Sequence, residues 1–187
     1  MTAHAVLLSI PGCEDLPPPQ RVLLQRDYAR RALRRCAELC AAPTDGWAQD
    51  ERGAPLPNQG YFWSLSHKRA MAAAVIARQP VGIDVEFVAP RREDLFDAVA
   101  TEAEWALLAD RSWHSFFRLF TAKEATLKAN GMGIGYLAHC RIVEVLNNRE
   151  MMTEYDSRRL PVEHFEHAGH IAAATVGAQP LAWHTYD

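Results

Sequence analysis

The spacing of apolar residues predicts two amphipathic helices in this chain. Arg26–Cys40 and Trp113–Asn130 both carry apolar side chains three or four positions apart. Such spacing places these side chains on one face of a helix, which can then be buried against a core. The apolar positions are Tyr28, Ala32, Leu33, Cys36 and Leu39 in the first helix and Phe116, Phe120 and Leu127 in the second.

Runs of small and β-branched residues predict strands, and one pair of strands occurs twice. Ala72–Glu86 aligns without a gap on Ala172–Tyr186, 100 residues further along, with an alanine triplet and a Gln-Pro pair in common. Each copy is expected to form a strand, a turn at Gln-Pro and a second strand. Chance similarity between two alanine-rich strands is the alternative. A separate first strand, Ala5–Ile10, is ended by a Pro-Gly pair.

These elements predict an α+β fold of two similar halves, residues 1–88 and 89–187, that act together as one compact unit. A cleft between such halves is a usual place for a ligand. The two acids that end the first copy have no acidic counterpart in the second, so a duplicated chain would have kept one active site. Two proline-rich segments are expected to be loops, Leu16–Pro19 and Pro43–Gln59.

Composition narrows the class of protein. With 187 residues, 49% of them hydrophobic, the chain can bury a substantial core. A formal net charge of -3 supplies no overall basic surface for nucleic acid. The four cysteines form no CxxC pair and are expected to be buried small hydrophobes. Because Ala5–Ile10 is too short for a membrane span and resembles no signal peptide, we expect a cytoplasmic enzyme without a membrane partner.

Two carboxylates stand in the segment Val81–Glu86. Asp84 and Glu86 lie two positions apart on a predicted strand and therefore project from the same face. Like charges at that distance repel one another unless a cation lies between them, and Mg²⁺ prefers such oxygen ligands. A solvated face of an edge strand is the alternative.

The second predicted helix places an acid and a base beside its apolar face. Glu124 and Lys128 are one turn apart at the edge of that face, a spacing that is also typical of an ordinary surface ion pair. Lys123 falls inside the apolar face, where a charge is costly unless it finds a partner. An acidic residue is therefore expected close to Lys123.

Other polar clusters are less specific. Ser66 and His67, followed by two cations, suit phosphate oxygens, although a structural histidine in a turn is the alternative. Gly131–Gly135 follows a helix and lacks the last glycine of a dinucleotide fingerprint, so a helix C-cap and loop are expected. Three histidines at three-residue spacing are disfavoured as a metal site, because such positions on a strand face opposite sides; they are His164, His167 and His170.

Three segments together resemble the phosphopantetheinyl transferases, specifically the Sfp-type, pseudo-dimeric group. Trp63–His67 resembles that family's aromatic-Ser-x-Ser-His motif. Gly82–Glu86 is similar to its G-[IV]-D-[IV]-E strand, and Phe120–Ala129 to its [WF]-x-x-K-E-A-x-x-K-[AG] helix. Their order and spacing also agree with the family. The resemblance implies two similar α+β halves with coenzyme A and Mg²⁺ in the cleft between them.

The resemblance also implies roles for individual residues. Asp84, Glu86 and Glu124 would be the Mg²⁺ ligands, with Asp84 also beside coenzyme A. Glu124 and Lys128 would be catalytic: Glu124, or a water that it orients, would accept a proton, and Lys128 would steady the leaving phosphate.

Further residues would bind coenzyme A or line the cleft. Ser66, His67 and Lys128 would hold its phosphates, and Arg31, or its neighbour Arg30, would meet the 3'-phosphate. Glu104 resembles a further acid lining the cleft. The family often has Gly-Lys-Pro before the Ser-His strand. Here the lysine is missing, which leaves Arg52 and Gly53 for the adenosine side.

The implied activity is transfer of 4'-phosphopantetheine from coenzyme A to a serine of an apo acyl or peptidyl carrier protein, with release of 3',5'-ADP. A different Mg²⁺-dependent phosphotransferase or hydrolase, and a non-catalytic coenzyme A binding module, are the alternatives. An active monomer is expected, because the chain would hold both halves of the cleft. Carrier proteins of this kind tend to be acidic, so local cations could dock them: Arg30, Arg34, Arg35, Lys68 and Arg69.

Overall fold

A computed structural model describes residues 2–187 and contains nine strands and four α-helices. The helices are α1 (Pro18–Cys40), α2 (Leu95–Val99), α3 (Glu102–Trp105) and α4 (Trp113–Ala129). The strands are β1 (Ala3–Ser9), β2 (Phe62–Lys68), β3 (Met71–Ala77), β4 (Ile83–Phe87), β5 (Arg141–Val145), β6 (Glu150–Tyr155), β7 (Arg158–His167), β8 (His170–Thr175) and β9 (Leu181–Tyr186). Within this described part, no helix is long and apolar enough to cross a membrane.

The strands form two sheets that pack face to face between two helices. The first sheet has the order β2-β3-β1-β9 and the second β4-β8-β7-β6-β5. Strands β1 and β9 are parallel, whereas the other neighbours are antiparallel. One apolar cluster lies between α1 and the first sheet, a second between the sheets and a third between the second sheet and α4. The predicted α+β class is confirmed.

Alanine-rich β3 and β8 are the centre of this packing. Every residue of both strands is buried. In β3, Ala73 faces the second sheet, whereas Ala74 faces α1. Small side chains on both faces allow a helix and a sheet to approach the strand closely, and burial on both faces explains why the strand is apolar at every position.

The strands on either side of each Gln-Pro turn lie in different sheets. In the first copy of the repeated segment, β3 belongs to the first sheet and β4 to the second. In the second copy, β8 belongs to the second sheet and β9 to the first. Both copies therefore cross from one sheet to the other, and neither forms a hairpin.

The long helices agree with the apolar pattern except at one end. Helix α4 begins at Trp113, as predicted, and the positive φ of Gly131 (68°) ends its last turn. Helix α1 begins at Pro18, so the expectation that Leu16–Pro19 is all connector is wrong. Proline is tolerated in the first turn of a helix, where its missing N–H would have no partner in the helix.

The cysteines of the described chain are free thiols, as the sequence predicted. Cys13, Cys36 and Cys140 are buried, and Cys40 is partly buried. They pack as small apolar side chains, and burial raises the pKa of the Cys36 thiol well above its ordinary value.

Candidate active site

The edge strands of the two sheets, β2 and β4, lie side by side and join through side chains. Ser66 Oγ donates to Asp84 Oδ1 at 2.8 Å, and Lys68 Nζ donates to Glu86 at 2.9 Å. From the first pair to the second, the residue number rises by two on both strands, so β2 and β4 run in the same direction. The two carboxylates thus project from one face of β4, as predicted, and face polar side chains of β2.

Helix α4 approaches β4 closely because Gly82 has no side chain. A Cβ atom at Gly82 would lie 1.9 Å from the carbonyl oxygen of Ala125 and 2.6 Å from the backbone nitrogen of Ala129. This approach brings Lys128 to the strand, where its ammonium donates to the Ile83 carbonyl at 3.0 Å and to Asp84 Oδ1 at 2.7 Å. The glycine that opens the second motif therefore fixes the distance between the second and third motifs.

Glu124 lies beside these groups without a partner of its own. It is 9% exposed, and its Oε1 atom is buried with no hydrogen-bond partner. Burial, with Asp84 and Glu86 nearby, raises the pKa of Glu124 to about 7, although Lys128 opposes the shift. Burial also raises the pKa of Glu86, helped by the charge of Asp84. Three carboxylates thus share a small region that two ammonium groups only partly neutralise.

Two carboxylate oxygen atoms in this region have no hydrogen-bond partner among the described residues. Besides Glu124 Oε1, the Oδ2 atom of Asp84 is buried without a partner. A buried, unpaired carboxylate oxygen is costly, and a hard divalent cation is the kind of group that would satisfy two of them. With the side chains as they stand, no three His, Cys, Asp or Glu residues in the described chain converge in metal-ligating geometry, and Glu86 is turned towards Lys68. The donor set fits Mg²⁺ if Glu86 or water completes it.

A cleft with two adjoining compartments opens next to Lys128. The basic compartment, of about 630 Å³, is lined by the cations Arg26, Arg30 and Lys128 together with Ser66 and His67. Burial lowers the pKa of His67, as do Lys128, Arg26 and Lys68, so its imidazole is held neutral. Several cations around one space are suited to phosphate groups, whereas the one hydroxyl proton of Ser66 is donated to Asp84.

The apolar compartment, of about 440 Å³, shares Lys128 and Gly53 with the basic one. Trp63, Met132 and Tyr136 contribute to its lining. Because they share lining residues, the two spaces adjoin, so one elongated ligand could place a charged part in the first and an uncharged part in the second.

Arg30, rather than Arg31, lines the cleft. Its guanidinium donates to the Trp47 carbonyl at 3.0 Å and lies 5.1 Å from the Trp63 ring. Arg31 is instead on the neighbouring helix face, paired with Asp27 at 2.7 Å and exposed. Of the two arginines that the sequence leaves open, Arg30 is thus the one that borders the cleft in this structure, because the two positions differ by about 100° around the helix.

The two residues expected on the adenosine side lie at the apolar compartment. Gly53, with φ of 82°, closes a turn whose backbone N–H groups bond to Asp50. The Arg52 side chain is 88% exposed, and its nearest acid is Asp50 at 3.9 Å. It therefore remains available at the rim of the cleft.

Lys123 has an acidic partner, as its place in the apolar face predicted. Its ammonium lies 2.7 Å from Glu104, with side chains only 2% and 6% exposed. Glu104 also accepts from the N–H groups of Thr101 and Ile142. The expectation that Glu104 lines the cleft is wrong, since its carboxylate is enclosed by these groups. The Thr-x-x-Glu spacing of Thr101 and Glu104 is that of a capping box and could have predicted this placement.

Sequence reasoning missed residues that the fold brings to the site. Arg26 was overlooked, although it precedes Arg30 by four positions and therefore shares its helix face. The hydroxyl of Ser64 was also overlooked. It accepts from the Ile83 N–H at 3.2 Å and links β2 to β4. Lys68 pairs with Glu86, a contact that the sequence pattern does not predict.

Two of the three closely spaced histidines, His164 and His170, contact backbone carbonyls. His164 is buried, with its ring nitrogens 2.9 Å from the Arg118 carbonyl and 3.2 Å from the Arg149 carbonyl. Burial lowers the pKa of His164 to about 4, so it stays neutral. His170 contacts the carbonyl of Lys68. Backbone carbonyls thus contact both ring nitrogens of His164 and of His170.

The chain is similar in sequence to a known enzyme family. The family model of the 4'-phosphopantetheinyl transferase superfamily matches residues 80–176, more than half of the chain. A relative from Nocardia iowensis, 4'-phosphopantetheinyl transferase Npt, is 35% identical over 140 residues, which are 67% of this chain and 63% of that protein. The 4'-phosphopantetheinyl transferase HetI of Nostoc sp. strain PCC 7120 is 30% identical over 151 residues, 72% of this chain and 63% of that protein.

A third relative is similar over a shorter region. Enterobactin synthase component D of Escherichia coli O157:H7 is 40% identical over 74 residues, 37% of this chain and 36% of that protein. The chain thus spans between about a third and two thirds of the length of these three relatives.

Proposed function

The chain belongs to the 4'-phosphopantetheinyl transferase superfamily, and on that premise we propose that it moves the 4'-phosphopantetheine group of coenzyme A onto a serine of an apo carrier protein. The observation that carries the proposal is the pair of unpartnered, buried carboxylate oxygens on Asp84 and Glu124 beside a cationic cleft. Buried acids short of a cation next to a phosphate-binding space are suited to a pyrophosphate substrate with a divalent ion.

Asp84, Glu86 and Glu124 would hold the Mg²⁺ ion, which when bound would neutralise charge developing on the pyrophosphate. The phosphates of coenzyme A would occupy the basic compartment, against His67 and Arg30. A neutral His67 can donate one hydrogen bond to a phosphate oxygen without charging first, because its pKa is lowered.

The adenosine part of coenzyme A would extend into the apolar compartment. Its aromatic and thioether side chains suit a ring or an alkyl chain, and Arg52 and Gly53 border its opening. We assign the adenosine side of the substrate to this border. This orientation leaves the pantetheine arm free to leave with the carrier protein.

The chemistry would be a displacement at the phosphorus atom that bears pantetheine. The serine oxygen forms a bond to that phosphorus while the bond to the bridging oxygen breaks, and 3',5'-ADP leaves. Glu124, or a water that it orients, would accept the serine proton. Lys128 stabilises the leaving phosphate: two of its three N–H groups are used by Ile83 and Asp84, and the third is left for a phosphate oxygen.

The active unit would be a monomer of two related halves. The crossing of both repeated segments between the sheets supports a duplicated origin, with halves at residues 1–88 and 89–187. The acids lie on β4 and α4, whereas the phosphate-binding residues lie on α1 and β2. One chain therefore supplies both sides of the cleft, so no second copy is needed to complete it.

The acceptor would be an acyl or peptidyl carrier protein. Exposed cations on α1 near the cleft, Arg30 and Arg34 among them, would attract an acidic partner. The chemistry needs only an accessible serine, so carriers of fatty acid, polyketide and peptide synthesis share the required feature.

Mass spectrometry of an apo carrier protein incubated with coenzyme A, Mg²⁺ and this protein tests the proposal. We expect the carrier to gain the mass of one phosphopantetheine group and 3',5'-ADP to accumulate in equal amount. A hydrolase would release 3',5'-ADP with an unmodified carrier. A non-catalytic binding module would leave both the carrier and coenzyme A unchanged. Release of 3',5'-ADP without carrier modification, or no reaction at all, with a panel of fatty acid, polyketide and peptide carriers would overturn the proposal.

A further inference from the structure

The charges of the site are divided unequally among the three acids. Asp84 is bonded to Lys128, whereas Glu124 forms no salt bridge among the described residues and its Oε1 atom has no hydrogen-bond partner. Glu86 is bonded to Lys68, whose Nζ atom lies 2.9 Å from each of its two carboxylate oxygens. The unpartnered oxygens therefore belong to Asp84 and Glu124, whereas both oxygens of Glu86 are already occupied.

Lys68 and Glu86 differ in their freedom to leave this pair. The Lys68 side chain is 40% exposed, whereas that of Glu86 is only 13% exposed. A half-exposed lysine can return its ammonium to water at little cost, because such ion pairs contribute at most about 1 kcal/mol. The buried acid has no such alternative. Displacement of Lys68 would therefore leave Glu86 facing the site with free oxygens.

We propose that Lys68 is an internal counter-cation that competes with a divalent ion for Glu86. While Lys68 is bound, the ion can use only Asp84 and Glu124; when it leaves, the ion gains Glu86 as a third ligand. The inference rests on the metal site of the proposed function. Because linkage is reciprocal, any phosphate that draws the Lys68 ammonium away would tighten binding of the ion, and the ion would favour binding of the phosphate.

Mn²⁺ titration of the protein without coenzyme A, followed by electron paramagnetic resonance of the free ion at pH 8, tests the competition. We expect Lys68→Met to tighten Mn²⁺ binding by up to about 5-fold, which is the most that loss of such an ion pair can give. Lys68→Gln should tighten it similarly, since its amide cannot neutralise a carboxylate.

The neighbouring Arg69→Met variant is the matched control. Arg69 has the same 40% side-chain exposure and carries the same charge, but its acidic neighbour is Glu14 at 3.6 Å. We expect its loss to change Mn²⁺ affinity by less than about 2-fold, the size of a screened long-range effect.

The combination of Lys68→Met with Glu86→Gln separates competition from general charge. In the Glu86→Gln background, removal of Lys68 should bring no further gain, because the contested ligand is absent. An equal gain in that background, no gain in the single variants, or no Mn²⁺ binding by any variant would each overturn the proposal. The carrier-protein assay does not depend on these titrations, so a failure here is distinguishable from a failure of the proposed function.

Discussion

Replacement of Gly82 by alanine should separate strand β4, which carries Asp84 and Glu86, from helix α4. The new Cβ atom would lie 1.9 Å from the Ala125 carbonyl oxygen, whereas ordinary contact begins at 3.4 Å. Because the opposing atoms are backbone, β4 and α4 must separate there by about 1.5 Å, and no side chain can turn aside to prevent it. The bond of 2.7 Å between Lys128 and Asp84 crosses this contact and would be lost.

We expect Gly82→Ala to lower the free energy of unfolding by about 1–3 kcal/mol, the usual cost of overpacking. In a chain of this size each kcal/mol shifts Tm by about 2–4 °C. Urea unfolding followed by circular dichroism measures the loss, and Mn²⁺ titration reports the separation of the acids. Gly135→Ala is the control, because its Cβ would meet nothing within 4 Å and its φ is not positive. Unfolding and Mn²⁺ affinity unchanged in Gly82→Ala would refute the reasoning.

Three further predictions follow from the buried charges and the cleft. Lys123→Met should lower the free energy of unfolding by about 3–5 kcal/mol in urea titrations, because Glu104 would stay buried without its ammonium; a loss below about 1 kcal/mol would contradict this. In metal-free buffer, the raised pKa of Glu124 means that protonation of this residue stabilises the folded state. The stabilisation by protonated Glu124 is fully present below pH 4.5 and is lost as the pH rises through about 7. The urea midpoint should fall over that range more in wild type than in Glu124→Gln, and equal slopes would argue against the shift. In calorimetric titrations, Arg30→Ala should weaken binding of coenzyme A more than binding of dephospho-coenzyme A, whereas Arg31→Ala should affect neither ligand. The opposite result, in which only Arg31→Ala weakens binding of coenzyme A, would show that Arg31 contacts the 3'-phosphate.

Local pattern predicted most helices and strands near the site but not their pairing. Helix α4 and strand β9 begin where the apolar pattern places them. The crossing of β3 and β4 into different sheets depends on contacts between residues far apart in the sequence, which a turn signal at Gln-Pro does not contain. The start of α1 was missed for another reason: Pro18 ends a loop as readily as it begins a helix, and only tertiary packing decides between them.

The candidate site was predicted best where chemistry forces a partner. The cost of burying Lys123 predicted an acid beside it, and Glu104 is that acid. The choice between Arg30 and Arg31 was different, because both are basic and exposed on one helix. Only the direction of each side chain relative to the cleft distinguishes them.

Transfer of phosphopantetheine by Glu124→Gln at saturating Mg²⁺ tests the central claim most directly. The variant keeps the shape of the side chain but cannot accept the serine proton, so kcat/KM should fall by roughly 10² or more. Asp84→Asn, measured beside it, should be partly rescued by excess Mg²⁺, because its loss acts on the ion rather than on the proton. Near wild-type turnover by Glu124→Gln at saturating Mg²⁺ would contradict the account, because the proton would then have to be accepted elsewhere.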